Sequence, residues 1–168
     1  LSNIDDIKKI YNDIILDKDE EDTLELSFKS KATALEFIKI TSKLSIIYRD
    51  DKTRYSMQLL ADIIKKLNED RLITKEDLYN MKESEVIEII ENSKYKDIFN
   101  IWKNAKNIKV SKEKPENVYF VHHGAKIRYI DPLVNKKRIS SISEEAKEEI
   151  DKNLSYDMNN YVYLDFNF

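Results

Sequence analysis

One glycine stands in 168 residues, where globular chains ordinarily carry about 7%. Loops that cradle phosphate need glycine so that the backbone can approach the ligand. A P-loop or a dinucleotide fingerprint therefore has no place in this chain. Nor is there a glycine-flanked serine elbow to expose a nucleophile. The chain has no cysteine, which removes disulfides, zinc–thiolate sites and cysteine nucleophiles together.

Composition narrows the class further. At 168 residues the chain is long enough for one domain with a real core, or one large and one small subdomain, and 36% charged with 41% hydrophobic residues is a soluble globular balance. No run of about 18 apolar residues occurs, so no membrane span is expected. The opening LSNIDDIKKIYND is polar and acidic, unlike a signal peptide, and a cytosolic setting fits. The chain begins with Leu rather than Met, as a piece of something longer would. Net charge is −3, with the signs interspersed. A nucleic-acid duplex needs a strongly basic face, so no duplex is expected as a partner. The runs DKDEED (17–22) and EEAKEEIDK (144–152) read as a solvated loop and a solvated helix face.

Hydrophobic periodicity predicts a mainly α, α+β chain. Ile4, Ile7, Tyr11, Ile14 and Ile15 recur at helical spacing behind Ser2 or Asn3 as cap. TLELSFKS (23–30) alternates like a strand. Broadly apolar helices are expected over about 31–48 and 54–68, separated by the polar RDDKTR (49–54) with Asp51 or Thr53 as cap. TKED (74–77) matches a capping box and opens a short helix. Further helices are expected over 84–93, 95–105 and 143–156, the last capped by Ser143. Trp102 reads as a core anchor. YVYLDF (161–166) closes the chain as a strand. The texture changes near residue 110, which predicts a helical subdomain over 1–110 and a small α+β subdomain over 111–168 with an antiparallel sheet.

Both histidines and the glycine fall in VYFVHHGAKIRYIDPLV (118–134). A two-residue turn at His123-Gly124 would put Val118, Phe120, Ala125, Ile127 and Tyr129 on a core face. It would leave Tyr119, Val121, Lys126 and Arg128 on the other. His122 and His123 could not then share a metal, and no acidic residue stands at ligand spacing from either. They read as structural or solvated residues, and no metal or catalytic residue is assigned to this chain.

Two basic groups remain as candidates for ligand binding. Tyr119, Lys126 and Arg128 could hold a phosphate, a carboxylate or a base edge, or be ordinary solvent-facing residues. Arg49, Lys52 and Arg54 crowd one helix break, where an N-terminus favours anions. Asp50 and Asp51 could equally satisfy those cations in a salt-bridge network.

The order of several segments resembles the C-terminal half of bacterial HD-superfamily phosphohydrolases. The resemblance spans nearly the whole chain and is carried most by YRDDKTRYSMQLLADII, KIRYIDPLV and YDMNNYVYLDF. It implies a parent enzyme whose metal site, a histidine, a His-Asp doublet and a later aspartate, activates water against a phosphate ester. This chain has no His-Asp dipeptide, so none of those ligands carries over. The expectation is a non-catalytic region that packs on the catalytic half, shapes a substrate cleft or builds an oligomer contact. The divalent metal would lie in that other half. Two other readings stand beside it: a free-standing helical interaction module, and a nucleotide- or anion-sensing domain.

Overall fold

A computed structural model describes residues 3–168. The chain opens with α1 (Ile4–Asp13), β1 (Ile14–Lys18), β2 (Leu24–Phe28), α2 (Lys31–Arg49) and α3 (Asp51–Glu69). Then come α4 (Asp77–Asn80), α5 (Glu83–Glu91), α6 (Lys96–Asn104), β3 (Lys109–Ser111) and β4 (Phe120–Val121). The last stretch holds β5 (Leu133–Val134), β6 (Lys137–Arg138), α7 (Ile139–Ile142), α8 (Glu144–Leu154) and β7 (Tyr161–Tyr163). The fold is α+β and mainly helical, with an antiparallel sheet toward the C-terminus. No described helix is long and apolar enough to cross a membrane.

The chain divides into two compact units, passing from one to the other after Tyr48, Ala125 and Asp157. Both sides of residue 110 fall in the same unit, because β3 pairs with β7 in the sheet that covers α3.

The first unit runs to Tyr48 and takes in Lys126–Asp157. Asn3 caps α1: its side chain accepts from the Asp5 amide at 2.6 Å, and Asp6 reaches back to the Asn3 amide at 3.2 Å. The alternative cap, Ser2, lies outside the described residues. The helix ends at Asp13, and Ile14 and Ile15 turn into a strand instead of extending it. Helical spacing misled there, because β1 forms an antiparallel ladder with β2, Leu16 opposite Leu26. Beside β2 lies β5, in parallel, and then β6. The buried Ser27 hydroxyl donates to the Leu133 carbonyl at 3.0 Å across that pairing. Phe28, Ala34, Ile38, Val134, Ile139, Ala146 and Ile150 form the core. Ser143 occupies the α8 cap position, but its side chain makes no capping bond.

The second unit takes in Arg49–Ala125 and Met158–Phe168. One stripe of α3, Tyr55, Leu59, Ile63 and Leu67, is entirely buried, each residue four after the last as one helix face requires. Asp50 is the cap of α3, in place of the expected Asp51 or Thr53, and accepts from the Thr53 amide at 2.6 Å. The expected exchange in TKED is present: the Asp77 carboxylate accepts from the Thr74 amide at 2.8 Å, and the Asp77 amide donates to the Thr74 hydroxyl at 3.1 Å. Trp102 packs on the core and donates Nε1–H to Ser56 Oγ at 2.9 Å.

The hairpin expected at His123-Gly124 is not formed. β4 pairs with β7, from the chain's end, and residues 122–132 carry no strand. The expected register would have left Tyr119 and Val121 facing water. Pairing with β7 places Val121 opposite Val162, and both are buried. The predicted face is thereby inverted: Tyr119 packs inward, while Ile127 and Tyr129 are 37% and 53% exposed. Gly124 does not have a positive φ. The left-handed positions of the described residues fall instead on Asp22, Arg71, Asn117, Asn135 and Lys136. The last two, at φ 52° and 67°, form the two-residue turn between β5 and β6 that Asn-Gly suits best.

Two substitutions test this reversal of roles. A Cβ at Gly124 would meet only Met158 Cε, at 3.9 Å. Gly124→Ala is thus expected to stabilise by about 0.4–1 kcal/mol through the unfolded chain. Lys136→Gly is expected to stabilise by about 1 kcal/mol by relieving a left-handed side chain. Urea unfolding of both variants checks the signs. A further expectation concerns acid. Hydrogen bonds from Lys94 and Tyr95 hold the Asp70 carboxyl below its ordinary value, and those from Thr74 do the same for Asp77. A lowered folded value gives stability that is present above the ordinary carboxylate range and lost as pH falls through the folded value. Acid unfolding curves should flatten in that window for Asp70→Asn and Asp77→Asn.

Candidate functional site

The polar break between α2 and α3 becomes a buried node. Arg54 sits in the first turn of α3 and is 3% exposed. Its Nε donates to the Arg49 carbonyl at 3.1 Å, one terminal nitrogen to the His123 carbonyl, and the other to the Asp51 carboxylate. Asp51 also accepts from Asn160 Nδ2 at 3.0 Å. Nearby, the Ala125 amide meets the Met158 sulfur at 3.4 Å. A guanidinium suits this place because its rigid fork serves several acceptors at once, which an ammonium does not. Of the two readings of the 49–54 cluster, this geometry is the internal network for Arg54. Arg49 is also buried, and Lys52 is exposed.

Tyr119 belongs to a different environment. Its hydroxyl donates to Asp62 Oδ2 at 2.7 Å, and Asp62 Oδ1 accepts from Gln58 at 3.0 Å. Its ring stacks on Phe166 at 5.8 Å and meets Tyr55 and Phe168 edge-on. Burial first, then the hydrogen bond to anionic Asp62, pushes the phenol well above its ordinary value. It is a core tyrosine whose polar end is satisfied. Lys126 and Arg128 lie in the first unit, exposed, on the strandless segment. The Arg128 carbonyl is pinned by the Ser45 hydroxyl at 2.7 Å and by Asn153 at 3.3 Å. Of the six candidates, Arg54 is thus engaged in an internal network with the Arg49 carbonyl, Tyr119 is a core residue of the second unit, and Lys126 and Arg128 are exposed in the first.

The histidines have separate roles. His122 stacks on Tyr161 with centroids 3.9 Å apart, and its Nε2 meets Asn159 Oδ1 at 2.9 Å. His123 contributes its carbonyl to Arg54. Among the described residues, no group of three or more His, Asp or Glu is gathered to hold a metal ion.

Sequence reasoning did not tell which apolar stripe of α1 stays exposed. On α1, Ile4, Ile7 and Tyr11 are 69%, 56% and 75% exposed, while Ile10 is buried. Their spacing is visible in the sequence, but only burial tells which stripe the core takes. No protein-family model, no curated protein and no solved structure matches this chain.

The node makes a sharp forecast. Arg54→Ala strands the partly buried Asp51 and two carbonyls, and is expected to cost about 3 kcal/mol. Arg54→Lys should recover little of it. Lys52→Ala should stay within about 0.5 kcal/mol of the parent chain. Chemical denaturation of the three variants reads all of this.

Proposed function

We propose that this chain is a non-catalytic docking region, the C-terminal part of a cytosolic bacterial HD-type phosphohydrolase. In this reading it packs on the catalytic half, shapes the substrate cleft or completes an oligomer contact. The observation that carries the reading is the exposed α1 stripe of Ile4, Ile7 and Tyr11. Anchors at i, i+3 and i+7 are what a helix presents when it beds into an apolar surface. Exposed large apolar residues gathered on one helix mark an interaction surface better than the same residues scattered singly.

The segments that carry the resemblance support it from a second side. YRDDKTRYSMQLLADII supplies Arg54 and Asp51, and YDMNNYVYLDF supplies Asn160, the three side chains of the buried node. KIRYIDPLV supplies β5 and the buried Pro132, Leu133 and Val134. In this reading their texture reflects scaffold rather than chemistry. The occupant of the stripe is the catalytic half, which would bring the His and His-Asp ligands and the divalent metal.

Determining the coding sequence upstream of Leu1 gives the first test. A histidine followed by a His-Asp doublet is expected, and the intact gene product should hydrolyse nucleotides with Mn²⁺. In that product, Ile7→Asp with Tyr11→Asp should lower the thermal midpoint and the activity together. An upstream frame without the doublet, or turnover by the 168-residue chain alone, refutes the proposal.

A further inference from the structure

The second unit carries a groove that the docking reading leaves unused, and the inference drawn from it stands apart from that reading. The groove has a volume of about 440 Å³ and is lined by Leu72, Met81, Glu85, Glu88, Ile89 and Asn92. The last four fall at i, i+3, i+4 and i+7 along α5 and its C-terminal cap, which is one helix face. Another face of α5 belongs to the core: Ile90 is buried there, with Val86 and Ile87 packed on it. Leu72 and Met81 complete the lining from the connection between α3 and α5.

The walls are held in place by their own backbone bonds. Arg71 ends α3 in the left-handed region at φ 61°. Its amide donates to the Asn68 carbonyl at 3.0 Å, and the Leu72 amide to the Leu67 carbonyl at 2.9 Å, the paired closure of a Schellman motif. The Met81 amide donates to the Asp77 carbonyl at 2.7 Å, and the Glu85 carboxylate accepts from the Lys82 amide at 2.6 Å. Yet Leu72 stays 49% exposed, and Met81 and Ile89 are half-buried. A site already held in shape loses less freedom when it binds.

Charge decides what covers it. The lining carries two carboxylates and no cation. Residues 69–91 hold eight acids against three bases. Within that stretch Asp70, Asp77 and Glu91 are met by Lys94, Thr74 and Lys103. The Lys82 amide fixes one Glu85 oxygen without supplying a cation. A wholly apolar partner would dry these carboxylates with nothing to offset their charge, and an acidic one would be repelled.

We propose that this groove docks a basic amphipathic helix of a partner protein. Its leucine-sized anchors bed on Leu72, Met81 and Ile89, and its lysines or arginines meet Glu85 and Glu88. Helix-in-groove recognition divides the work this way: apolar anchors supply area, while charge supplies orientation and choice of partner. A methionine suits the floor, because its flexible thioether adapts to anchors of different shape.

Fluorescence anisotropy tests this with the full 168-residue chain and a labelled peptide of leucine and lysine, its leucines at i, i+3, i+4 and i+7. Binding is expected, and much weaker binding for the same peptide with glutamate for lysine or with the leucines scattered around the helix. Glu85→Gln with Glu88→Gln keeps the cap on Lys82 and removes both charges. It is expected to weaken binding about fivefold and to flatten its salt dependence. Leu72→Ala should weaken binding about threefold or more. Ile7→Asp with Tyr11→Asp, on α1, should bind like the parent chain. A circular-dichroism melt separates lost binding from lost folding. Overturning results are no anisotropy change at any concentration reached, equal affinity for either control peptide, or groove variants that fold and bind like the parent chain. Loss of binding in the α1 variant also overturns it, since the peptide then sits on the other stripe. So does self-association of the chain that Glu85→Gln with Glu88→Gln abolishes, since the occupant is then a second copy.

Discussion

The second unit depends on a single guanidinium. The chain enters or leaves this unit at three points, and Arg54 fastens all of them. The Arg49 carbonyl, the His123 carbonyl and, through Asp51, the Asn160 amide meet around it. A buried cation is costly unless it is paired and its donors are satisfied. Here one carboxylate balances the charge, and main-chain carbonyls take the remaining directions. Removing such a group from water yields little net stability by itself. What it supplies is a single point where three distant segments are tied together.

The helices were legible because their apolar residues repeat at the helical period and their caps are polar. Asn3 and Thr74–Asp77 behave as their spacing requires. The strands were less legible, for two physical reasons. Several are only two or three residues long, too short for alternation to show. Their partners are also remote: β2 pairs with β5, and β4 with β7. Ile14 and Ile15 continued a helical stripe on paper, yet backbone pairing with β2 took them. The lone glycine attracted a turn that the chain makes elsewhere with Asn135 and Lys136.

The candidate site was legible only in part. Clustering of Arg49, Lys52 and Arg54 was plain, and so was the choice between an anion site and an internal network. Nothing in one sequence says that the acceptors of Arg54 are the main-chain carbonyls of Arg49 and His123. Tyr119 was read as solvent-facing because the wrong strand partner fixed its parity, and a one-residue change of parity moves every side chain to the other face.

The parallel pairing of β2 with β5 has a consequence for birth on the ribosome. Ser27 finds the Leu133 carbonyl across 106 positions, so the sheet it closes is non-local and its loop-closure cost falls early. During synthesis the amino-terminal helices and their hairpin emerge long before β5 exists. They must wait, with Phe28 and Ile38 uncovered, while the whole middle of the chain is made. Until β5 is made, the growing chain is therefore exposed to aggregation and to chaperones through these uncovered residues.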